Sequence, residues 1–351
     1  MKKTLQSLFV ILSLALTACG SAASSAAEAS AAPAETAAAS AETAALAPAE
    51  GKTYKVAVVK QLDHASLDEI ANAITAEFDA LAEKNGVTID YGSVYSGQND
   101  QTVLQQIASQ ALADKADVIV PIATLAAVTM TAAASDTKTP VVYAAISDPE
   151  AAELTGIDYV SGTSDALNTA VILDMMLAAN PGIKTVGLLY SKSEANSEKP
   201  IAEAKKYLEE KGIAFVEANG NTNDEIIQAA SSLIGQKVDA IFTPTDNVVM
   251  AAELAISQMF AEAKIPHYAG ADSFVRNGAF ATCGVNYTEL GKRTADIAFE
   301  AMTAGMGNLE DYYLMDGGIV TVNSETAAAL GLSADVFKPF GEVTEVKTTE
   351  D

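Results

Sequence analysis

Two spacings of hydrophobic residues alternate along the chain from Lys55 onward. Short runs rich in β-branched residues are typical of buried strands, and longer stretches with apolar residues at every third or fourth position are typical of amphipathic helices. The strand-like runs lie at residues 55–59, 87–91, 118–121, 141–145, 186–190, 214–217, 240–243, 267–269 and 280–285. The helix-like stretches include residues 67–84, 101–113, 197–210, 224–234 and 248–263. This alternation predicts an α/β fold of parallel βαβ units, with helices on both faces of each sheet.

The same order of elements occurs twice. Three pairs of residues occupy equivalent places in the two halves, namely Gly86 and Gly212, Asp117 and Asp239, and Pro140 and Pro266. The glycines end helical stretches, as C-cap glycines do, and the aspartates and prolines precede strand-like runs. Because the three pairs follow in order at nearly one offset, they predict two similar doubly wound lobes joined by a hinge.

The first residues have the features of a secretory signal. Lys2 and Lys3 precede an apolar run at residues 8–16, and small residues follow it. Leu16-Thr17-Ala18-Cys19 resembles a bacterial lipobox, so residues 1–18 are predicted to be a signal peptide and Cys19 a lipidated residue that anchors the protein to the cell membrane. The alternatives are a plain cleaved signal and a short transmembrane anchor. The apolar run is too short to span a bilayer, which disfavours the anchor.

The rest of the chain divides by composition. Residues 19–53 are rich in Ala, Ser, Glu and Pro and cannot bury a core, so they are predicted to be a flexible tether. The roughly 300 residues that follow exceed one typical core. We assign residues 54–165 and 306–335 to lobe 1, residues 166–305 to lobe 2 and residues 336–351 to an acidic tail. Crossings between the lobes are expected near residues 148–168, 271–281 and 306–318, where strand and helix signals lapse.

The charge of the chain excludes several partners. A net charge of -25 makes nucleic acids and anionic lipid surfaces poor partners, because binding them requires clustered Lys and Arg. With Cys19 acylated, Cys283 has no intramolecular partner, and it is predicted to be a small buried residue in a strand. No cofactor or metal site is predicted, since His and Cys do not cluster with metal-ligand spacing.

Candidate binding residues lie where the predicted strands end. In open parallel sheets a ligand binds beyond the carboxyl ends of the strands, where helices begin with free N–H groups. The residues in these positions are His64, Ser66, Thr124, Leu125, Ser147, Asp148, Ser193, Glu194, Ala195, Asn196, Thr245, Asp246, Asn247, Asp272 and Ser273. If the two lobes face each other across these edges, the residues line a cleft between them.

The chemistry of these residues suits an α-amino acid, which presents a carboxylate and an ammonium group that both need partners once desolvated. The chain has only two arginines, Arg276 and Arg293, so helix N-termini and hydroxyl groups are expected to bind the carboxylate, with Arg276 kept as a candidate. Asp246 is the first candidate for the ammonium group, followed by Asp272 or Asp148. A helix N-cap is the alternative role for Asp246.

Histidine and aromatic residues near the cleft have two possible roles each. His64 would either donate a hydrogen bond to the ligand carboxylate or cap the helix that follows it. His267 lies inside a predicted strand and is expected to be packed in the core. Tyr95, Tyr190 and Phe274 follow strand ends, where they would either stack on a ligand ring or belong to the core of a lobe.

Several segments in order resemble the extracytoplasmic solute-binding lipoproteins of ABC transporters, in particular the family that includes tryptophan-binding lipoproteins. The most specific are Ser193-Glu194-Ala195-Asn196-Ser197 and Pro244-Thr245-Asp246-Asn247. The others are residues 63–68, 121–124, 147–149, 161–165, 190–192 and 278–282, and the resemblance covers residues 54–332. It implies a hinged two-domain fold and a monomer that binds an aromatic or large apolar L-amino acid and delivers it to a membrane permease with a separate ATPase. Because the chain has no Trp, any aromatic box must use Tyr or Phe.

Three other functions stay open at this stage. A different small solute, such as a branched-chain amino acid, would fit the same fold. A ligand-sensing domain that docks to a receptor kinase would share the fold and the cleft. Ser, His and Asp occur together in the cleft loops, which leaves a hydrolase possible on composition, but the chain lacks a Gly-x-Ser-x-Gly elbow and a Gly-rich phosphate loop, and we therefore predict no enzymatic activity.

Overall fold

The computed structural model of the protein describes residues 51–348, in which strands and helices alternate as predicted. The strands are β1 (Thr53–Lys60), β2 (Thr88–Asp90), β3 (Tyr95–Ser96), β4 (Val118–Ile122), β5 (Val141–Tyr143), β6 (Val160–Ser164), β7 (Thr185–Tyr190), β8 (Ala214–Asn219), β9 (Ala240–Thr243), β10 (His267–Ala269), β11 (Ala281–Gly284), β12 (Tyr313–Leu314), β13 (Ile319–Asn323) and β14 (Val343–Val346). The helices are α1 (Ala65–Asn85), α2 (Gln101–Ala113), α3 (Thr124–Ala133), α4 (Thr169–Ala179), α5 (Glu198–Lys211), α6 (Asn223–Gly235), α7 (Asn247–Glu262), α8 (Asp272–Arg276), α9 (Tyr287–Thr303) and α10 (Ser324–Leu330). The predicted signal peptide, Cys19 and most of the predicted tether lie outside the described residues. Within residues 51–348, no helix combines the length and the apolar character needed to cross a membrane.

The first lobe is built on a sheet whose strands all pair in parallel. Its order is β12-β6-β5-β4-β1-β2, with β3 also beside β1. Helices α1 and α9 cover one face, and α2 and α3 cover the other. Helix α1 buries Ile70, Ile74 and Phe78, whose spacing of four residues places them on one side of the helix. Both faces are therefore closed to water, as parallel sheets require.

The second lobe repeats this arrangement with one antiparallel pair. Its strand order is β14-β13-β11-β10-β9-β7-β8, and only β11 and β13 run antiparallel within the described residues. Helices α6 and α7 cover one face, and α4 and α5 pack on the other. The prediction of two similar α/β lobes is confirmed.

The paired positions in the two halves have the same structural roles. Asp117 accepts a 2.8 Å hydrogen bond from the backbone N–H of Lys55, and Asp239 accepts a 2.8 Å bond from the N–H of Lys184, so each aspartate fixes the start of the neighbouring strand. Gly86 and Gly212 both end helices with a left-handed backbone, at φ of 64° and 67°. Residues with a Cβ avoid that conformation, which explains why glycine occupies both positions.

Three segments connect the lobes, at residues 166–168, 285–286 and 315–318. The first and the third lie inside the expected ranges. The second crosses after β11, beyond the expected range of 271–281, because the strand continues to Gly284 before the chain leaves lobe 2.

The expected lobe boundary after residue 286 is wrong. Helix α9 was assigned to lobe 2, but it packs along α1 in lobe 1, where Gly291 allows the two helices to approach closely. A Cβ on Gly291 would lie 2.6 Å from the Cβ of Ala73. Strand β13 was assigned to lobe 1, but it pairs with β11 in lobe 2. The observed lobes are therefore residues 53–165 with 287–314, and residues 169–284 with 319–346.

The expectation of an acidic tail at residues 336–351 is also wrong for the residues up to 348, which are folded onto lobe 2. A 3₁₀ helix at Ala334–Phe340 buries Phe337 against Tyr268 and Phe280. Strand β14 then pairs in parallel with β13. The buried ring of Phe337 and the pairing of β14 therefore hold this segment on lobe 2.

Two residues expected in the core are there. Cys283 is a free, buried thiol in β11. The ring of His267 lies between Glu253, at 3.1 Å from Nδ1, and Thr243, at 2.8 Å from Nε2.

Candidate functional site

A small cavity lies between the lobes at the carboxyl ends of both sheets. Its volume is about 20 Å³, which holds roughly one water molecule. Lobe 1 lines it with His64, Ser66, Leu67, Ala123, Thr124, Ala145, Asp165 and Tyr287, and lobe 2 lines it with Asn196, Thr245, Asp246, Asn247, Met250 and Phe274. The cleft predicted from the strand ends therefore exists, and in this structure it is closed.

Polar contacts between the lobes hold the cleft closed. The side-chain pairs that meet across it are Gln61 with Glu194 at 2.9 Å, His64 with Asn247 at 3.1 Å, Ser66 with Ser273 at 2.6 Å, and Ser147 with Thr245 at 3.0 Å. At the rim, the ammonium group of Lys199 lies 2.9 Å from the carboxylate of Asp148. All these pairs involve hydroxyl, amide or charged groups, which a polar ligand can replace in an open form of the cleft.

The carboxylate of Glu194 accepts hydrogen bonds from two side-chain amides, one of which belongs to the opposite lobe. One carboxylate oxygen accepts a hydrogen bond from Gln61 in lobe 1, and the other accepts a 2.6 Å bond from the amide of Asn247. Burial, with the nearby charge of Asp246 as a second cause, raises the pKa of Glu194 to about 7. The closed cleft therefore favours the protonated form of this carboxyl group.

The hydrogen bonds of Asn247 determine the tautomer of His64. Because the amide nitrogen of Asn247 donates to Glu194, its oxygen must accept from Nε2 of His64. Burial lowers the pKa of His64 to about 4, so the ring is neutral near pH 7, and Nδ1 is an acceptor. Nδ1 is buried without a hydrogen-bond partner among residues 51–348. The side chain does not cap α1 in this structure, and donation from His64 to a ligand carboxylate stays a prediction.

Asp246 acts as a helix cap. One oxygen accepts a 3.0 Å bond from the N–H of Val249 in the first turn of α7. The other accepts from the N–H of Ser191 and the hydroxyl of Ser197, both at 2.7 Å. The alternative role considered for Asp246 is thus present in the structure, and these three donors come from lobe 2 itself.

Asp165 is a second buried carboxylate on the cavity wall, and it was not among the candidates. It follows β6 at the first crossing between the lobes. Its oxygens accept hydrogen bonds from Ser147 at 2.9 Å and from the hydroxyl of Tyr287 at 3.0 Å. Burial raises the pKa of Asp165, and both hydroxyl donors counteract that rise. In the sequence, the only sign that Asp165 belongs to the site was its place at the end of the family-like segment 161–165. Tyr287 gave no such sign, because its helix was assigned to the other lobe.

Strained backbone occurs at two positions on the cavity wall. Ala123 and Ala145 have positive φ angles of 75° and 57°, which are unfavourable for residues with a Cβ. Ala123 follows β4 directly, Ala145 lies two residues after β5, and both line the cavity. Strain of this kind is concentrated at binding sites, where the surrounding structure keeps it in place.

A larger pocket lies beside the small cavity. It has a volume of about 330 Å³ and shares Asn196 with the cavity. Apolar residues from both lobes and the crossing form most of its wall, including Ala151, Ala166, Leu167, Ala195 and Pro200. The contact of Ser147 with Thr245 lies between the two spaces, since Ser147 lines the pocket and Thr245 lines the cavity.

The remaining candidates are distributed around these spaces. Asp148 and Ala195 line the larger pocket, and Leu125 donates its backbone N–H to Gln61. Ser193 is exposed, and its hydroxyl and backbone N–H both contact the hydroxyl of the nearby Ser191. Asp272 pairs with Arg276 at 3.0 Å, and neither residue lines the cavity, whereas Arg276 and Ser273 line a separate polar groove. Ligand contact by each candidate stays a prediction.

Of the three aromatic candidates, only Phe274 reaches the cavity. Tyr190 packs in the core of lobe 2 with its hydroxyl on Glu217, and Tyr95 packs beside the core of lobe 1. Tyr287 supplies a second aromatic ring to the cavity wall. The cavity thus has aromatic residues from both lobes without any Trp.

Two doubly wound lobes, three crossing segments and a polar cleft at the strand ends define the two-lobed fold of type I periplasmic binding proteins. Residues 55–333 match the family described as ABC transporter substrate binding protein. The chain belongs to this family of solute-binding proteins.

Individual relatives agree with this assignment. A tyrosine-binding protein of Clostridioides difficile strain R20291 is 31% identical over 297 residues, which cover 82% of this chain and 84% of that protein. The crystal structure of an ABC domain from Streptococcus pneumonia in complex with L-Trp is 27% identical, with a TM-score of 0.73 over 83% of this chain and all of the other. A ligand-free, open structure of a substrate-binding protein with adhesive properties from Clostridium difficile is 31% identical, with a TM-score of 0.61 over 84% of this chain and all of the other.

The two structural comparisons differ in a way that matches the closed cleft. The chain superposes better on the complex with L-Trp than on the open structure, although its sequence identity to the open structure is higher. This order agrees with a closed cleft, since opening a hinge rotates whole lobes and lowers the overall superposition.

Proposed function

We propose that this protein is the extracytoplasmic substrate-binding component of an ABC importer and that it binds an aromatic or large apolar L-amino acid between its lobes. The observation that carries the proposal is the composition of the cavity wall. Buried carboxylates, helix N-termini and aromatic rings meet there. An α-amino acid with an aromatic side chain is the class of small molecule that uses all three. The relatives described as tyrosine-binding and as a complex with L-Trp support the same class.

The ligand carboxylate would bind at helix N-termini in lobe 1. Helices α1 and α3 both begin at the cavity, where Ser66 and Thr124 add hydroxyl groups to the free backbone N–H groups. An N-terminal helix end is favourable for an anion because of its unpaired N–H groups and the helix dipole. Neither arginine lines the cavity, so this binding mode replaces a guanidinium contact.

Closure of the hinge would couple binding to delivery. The cavity in this structure is too small for an amino acid, so the ligand would enter an open form. The loaded protein would close around it, with polar contacts such as Ser66 with Ser273 replaced by contacts to the ligand. A ligand that contacts both lobes stabilises the closed form relative to the open one. A membrane permease with a separate ATPase would then recognise the closed, loaded protein, which acts as a monomer held to the membrane through lipidated Cys19.

Thermal melting of the purified protein with Cys19→Ala tests the ligand class. L-Tyrosine, L-tryptophan or L-phenylalanine should raise the melting temperature by several degrees through binding to the folded state. Leucine, isoleucine and valine test the branched-chain alternative. A shift with ribose or a purine nucleoside alone would contradict the proposal.

The same variant tests the anchor. In cells, Cys19→Ala should move the protein from the membrane fraction to the soluble fraction, or leave it unprocessed, without loss of ligand binding. A variant that stays fully processed and membrane-bound would contradict lipidation at Cys19.

A further inference from the structure

Apart from Asp272, which is paired with Arg276 and does not line the cavity, three buried carboxylates lie at or next to the closed cleft, namely Asp165, Asp246 and Glu194. An ammonium group that enters this space loses its hydration and requires an anionic partner. Which of the three can serve it depends on the hydrogen bonds that each one already makes.

Two of the three carboxylates are less suited to an ammonium group, Asp246 because of its backbone donors and Glu194 because of its position. Asp246 accepts from two backbone N–H groups, of Ser191 and Val249, which would be buried without a partner if the carboxylate turned away. Glu194 accepts from the amides of Gln61 and Asn247 and does not line the cavity.

Asp165 differs in both respects. It lines the cavity, and its two side-chain partners are the hydroxyl groups of Ser147 and Tyr287. A hydroxyl group both donates and accepts, so it can turn to another partner when a stronger donor arrives. No basic side chain in residues 51–348 forms an ion pair with Asp165.

We infer that the carboxylate of Asp165 binds the α-ammonium group of the ligand. The inference rests on the proposed function and adds the residue that recognises one end of the amino acid. Asp165 and the start of α3 belong to the same lobe and line the same cavity, so lobe 1 would hold both charged groups of the ligand. Lobe 2 would then close over the side chain with Phe274 and Met250.

The position of Asp165 also connects binding to closure. It precedes the segment that leads from β6 in lobe 1 to α4 in lobe 2. Its partner Ser147 contacts Thr245 across the cleft. An ammonium group at Asp165 therefore lies beside both a hinge segment and a contact between the lobes.

Burial of the charged carboxylate of Asp165 lowers the stability of the protein when no ligand cation is present. Its pKa is raised because desolvation disfavours the charged form, and hydroxyl groups compensate less well than a cation. Asparagine at this position can still accept from one hydroxyl and donate to the other. We therefore expect Asp165→Asn to melt at the same temperature as the wild type or higher in the absence of ligand, whereas a purely structural aspartate would leave the variant less stable.

Pairs of ligands with and without an ammonium group provide the test. Calorimetric titration compares L-tyrosine with 3-(4-hydroxyphenyl)propionate, and L-tryptophan with indole-3-propionate, on the purified protein. The wild type should bind the amino acid at least about tenfold more tightly than its deamino analogue. In Asp165→Asn the two affinities should agree within about threefold, through a loss for the amino acid alone.

Two further variants separate charge from packing. Tyr287→Phe removes one hydroxyl partner but keeps the carboxylate, so it should keep the preference for the amino acid. Asp136→Asn removes an exposed carboxylate of lobe 1 that lies outside the cavity and should match the wild type.

The outcomes distinguish the inference from the proposed function. A wild type that binds neither amino acid overturns both. A wild type that prefers the amino acid, together with an Asp165→Asn variant that keeps the preference or weakens both ligands equally, overturns only the role of Asp165. Loss of the preference in Tyr287→Phe also overturns it, because the carboxylate is still present in that variant.

Discussion

The side-chain amide of Gln61 in lobe 1 donates a 2.9 Å hydrogen bond to the carboxylate of Glu194 in lobe 2. The oxygen of the same amide accepts from the N–H of Leu125 at the start of α3. Gln61 thus joins the predicted carboxylate-binding end of α3 to the opposite lobe. This contact is the most deeply buried polar link across the cleft, since Gln61 is 1% exposed and Glu194 is 3% exposed.

Replacing the donor of this contact with an acceptor should weaken the closed form. In Gln61→Glu, a second carboxyl group faces Glu194, and the pair repels unless one group is protonated. We expect ligand affinity to fall at least about tenfold at pH 7.5 and to recover toward the wild-type value near pH 5. Calorimetry at both pH values measures this, with Gln106→Glu on the exposed face of α2 as the control. Equal losses at both pH values would contradict the repulsion.

The raised pKa of Glu194 predicts a dependence of stability on pH. A carboxyl group with a higher pKa in the folded state binds its proton more tightly there, so its contribution to stability is lost as the pH rises from about 4.3, the unfolded value, through about 7. The free energy of unfolding of the wild type, relative to that of Glu194→Gln, should be lower at pH 8 than at pH 5 by roughly 1–3 kcal/mol. Urea denaturation at the two pH values measures the difference. Parallel pH profiles of the two proteins would show that Glu194 does not titrate abnormally.

The contact of α9 with α1 predicts the effect of a small substitution. In Gly291→Ala, the new methyl group would lie 2.6 Å from the Cβ of Ala73 and 2.7 Å from the backbone oxygen of Ile70, so the helices must separate. We expect the free energy of unfolding to fall by about 1–3 kcal/mol. Gly235→Ala, at the end of α6, has open space around its Cβ and should be neutral or stabilising by up to about 1 kcal/mol. Similar effects of the two substitutions would contradict the close packing of α9 on lobe 1.

Phe337 and Val336 in the C-terminal segment provide another pair of matched substitutions, one at a buried residue and one at an exposed residue. Phe337 is fully buried against Tyr268 and Phe280, whereas the adjacent Val336 is 36% exposed. Phe337→Ala should lower the free energy of unfolding by about 3–5 kcal/mol, and Val336→Ala should change it by less than about 1 kcal/mol. Chemical denaturation distinguishes this from an unstructured tail, in which both substitutions would be silent.

The local pattern predicted the elements and the repeat, because periodicity is a property of short segments. The glycine pair and the aspartate pair indicated two lobes, and the structure gives each pair one role. The strand ends likewise indicated the cleft. Which lobe an element joins depends on contacts between distant segments, and nothing local to α9 or β13 marks their partners α1 and β11. The lobe boundary was wrong for that reason.

The sequence predicted where the candidate site lies, but it predicted the roles of the individual residues less well. His64, Ser66, Thr124, Asn196, Thr245, Asp246 and Asn247 all line the cavity, as their places after strands suggested. The role of Asp246 depended on whether donors reach it from another segment, and Ser191 and Ser197 do so only in the folded lobe. Asp165 was overlooked because its hydroxyl partners, Ser147 and Tyr287, come from distant parts of the chain.

Substitution of Asp246 distinguishes a role as a helix cap from a role in ligand contact, because three donors surround its carboxylate. Asp246→Asn cannot accept from Ser191, Ser197 and Val249 with both side-chain atoms, because its amide nitrogen is a donor, and one buried N–H or hydroxyl group loses its partner. The free energy of unfolding of the unliganded protein should fall by about 1–3 kcal/mol. Asp100→Asn is the matched control, since Asp100 caps α2 at an exposed position and asparagine is an equally good N-cap, so the cost there should stay below about 0.5 kcal/mol.

Ligand binding by the same variant completes the test. If Asp246 is a cap, Asp246→Asn should still prefer L-tyrosine or L-tryptophan over the deamino analogue by about tenfold, because Asp165 keeps its charge. If Asp246→Asn has normal stability but loses this preference, Asp246 and not Asp165 binds the ammonium group of the ligand. The two aspartates therefore make opposite predictions, with stability lost at Asp246 and ligand selectivity lost at Asp165, and melting curves together with titrations distinguish them.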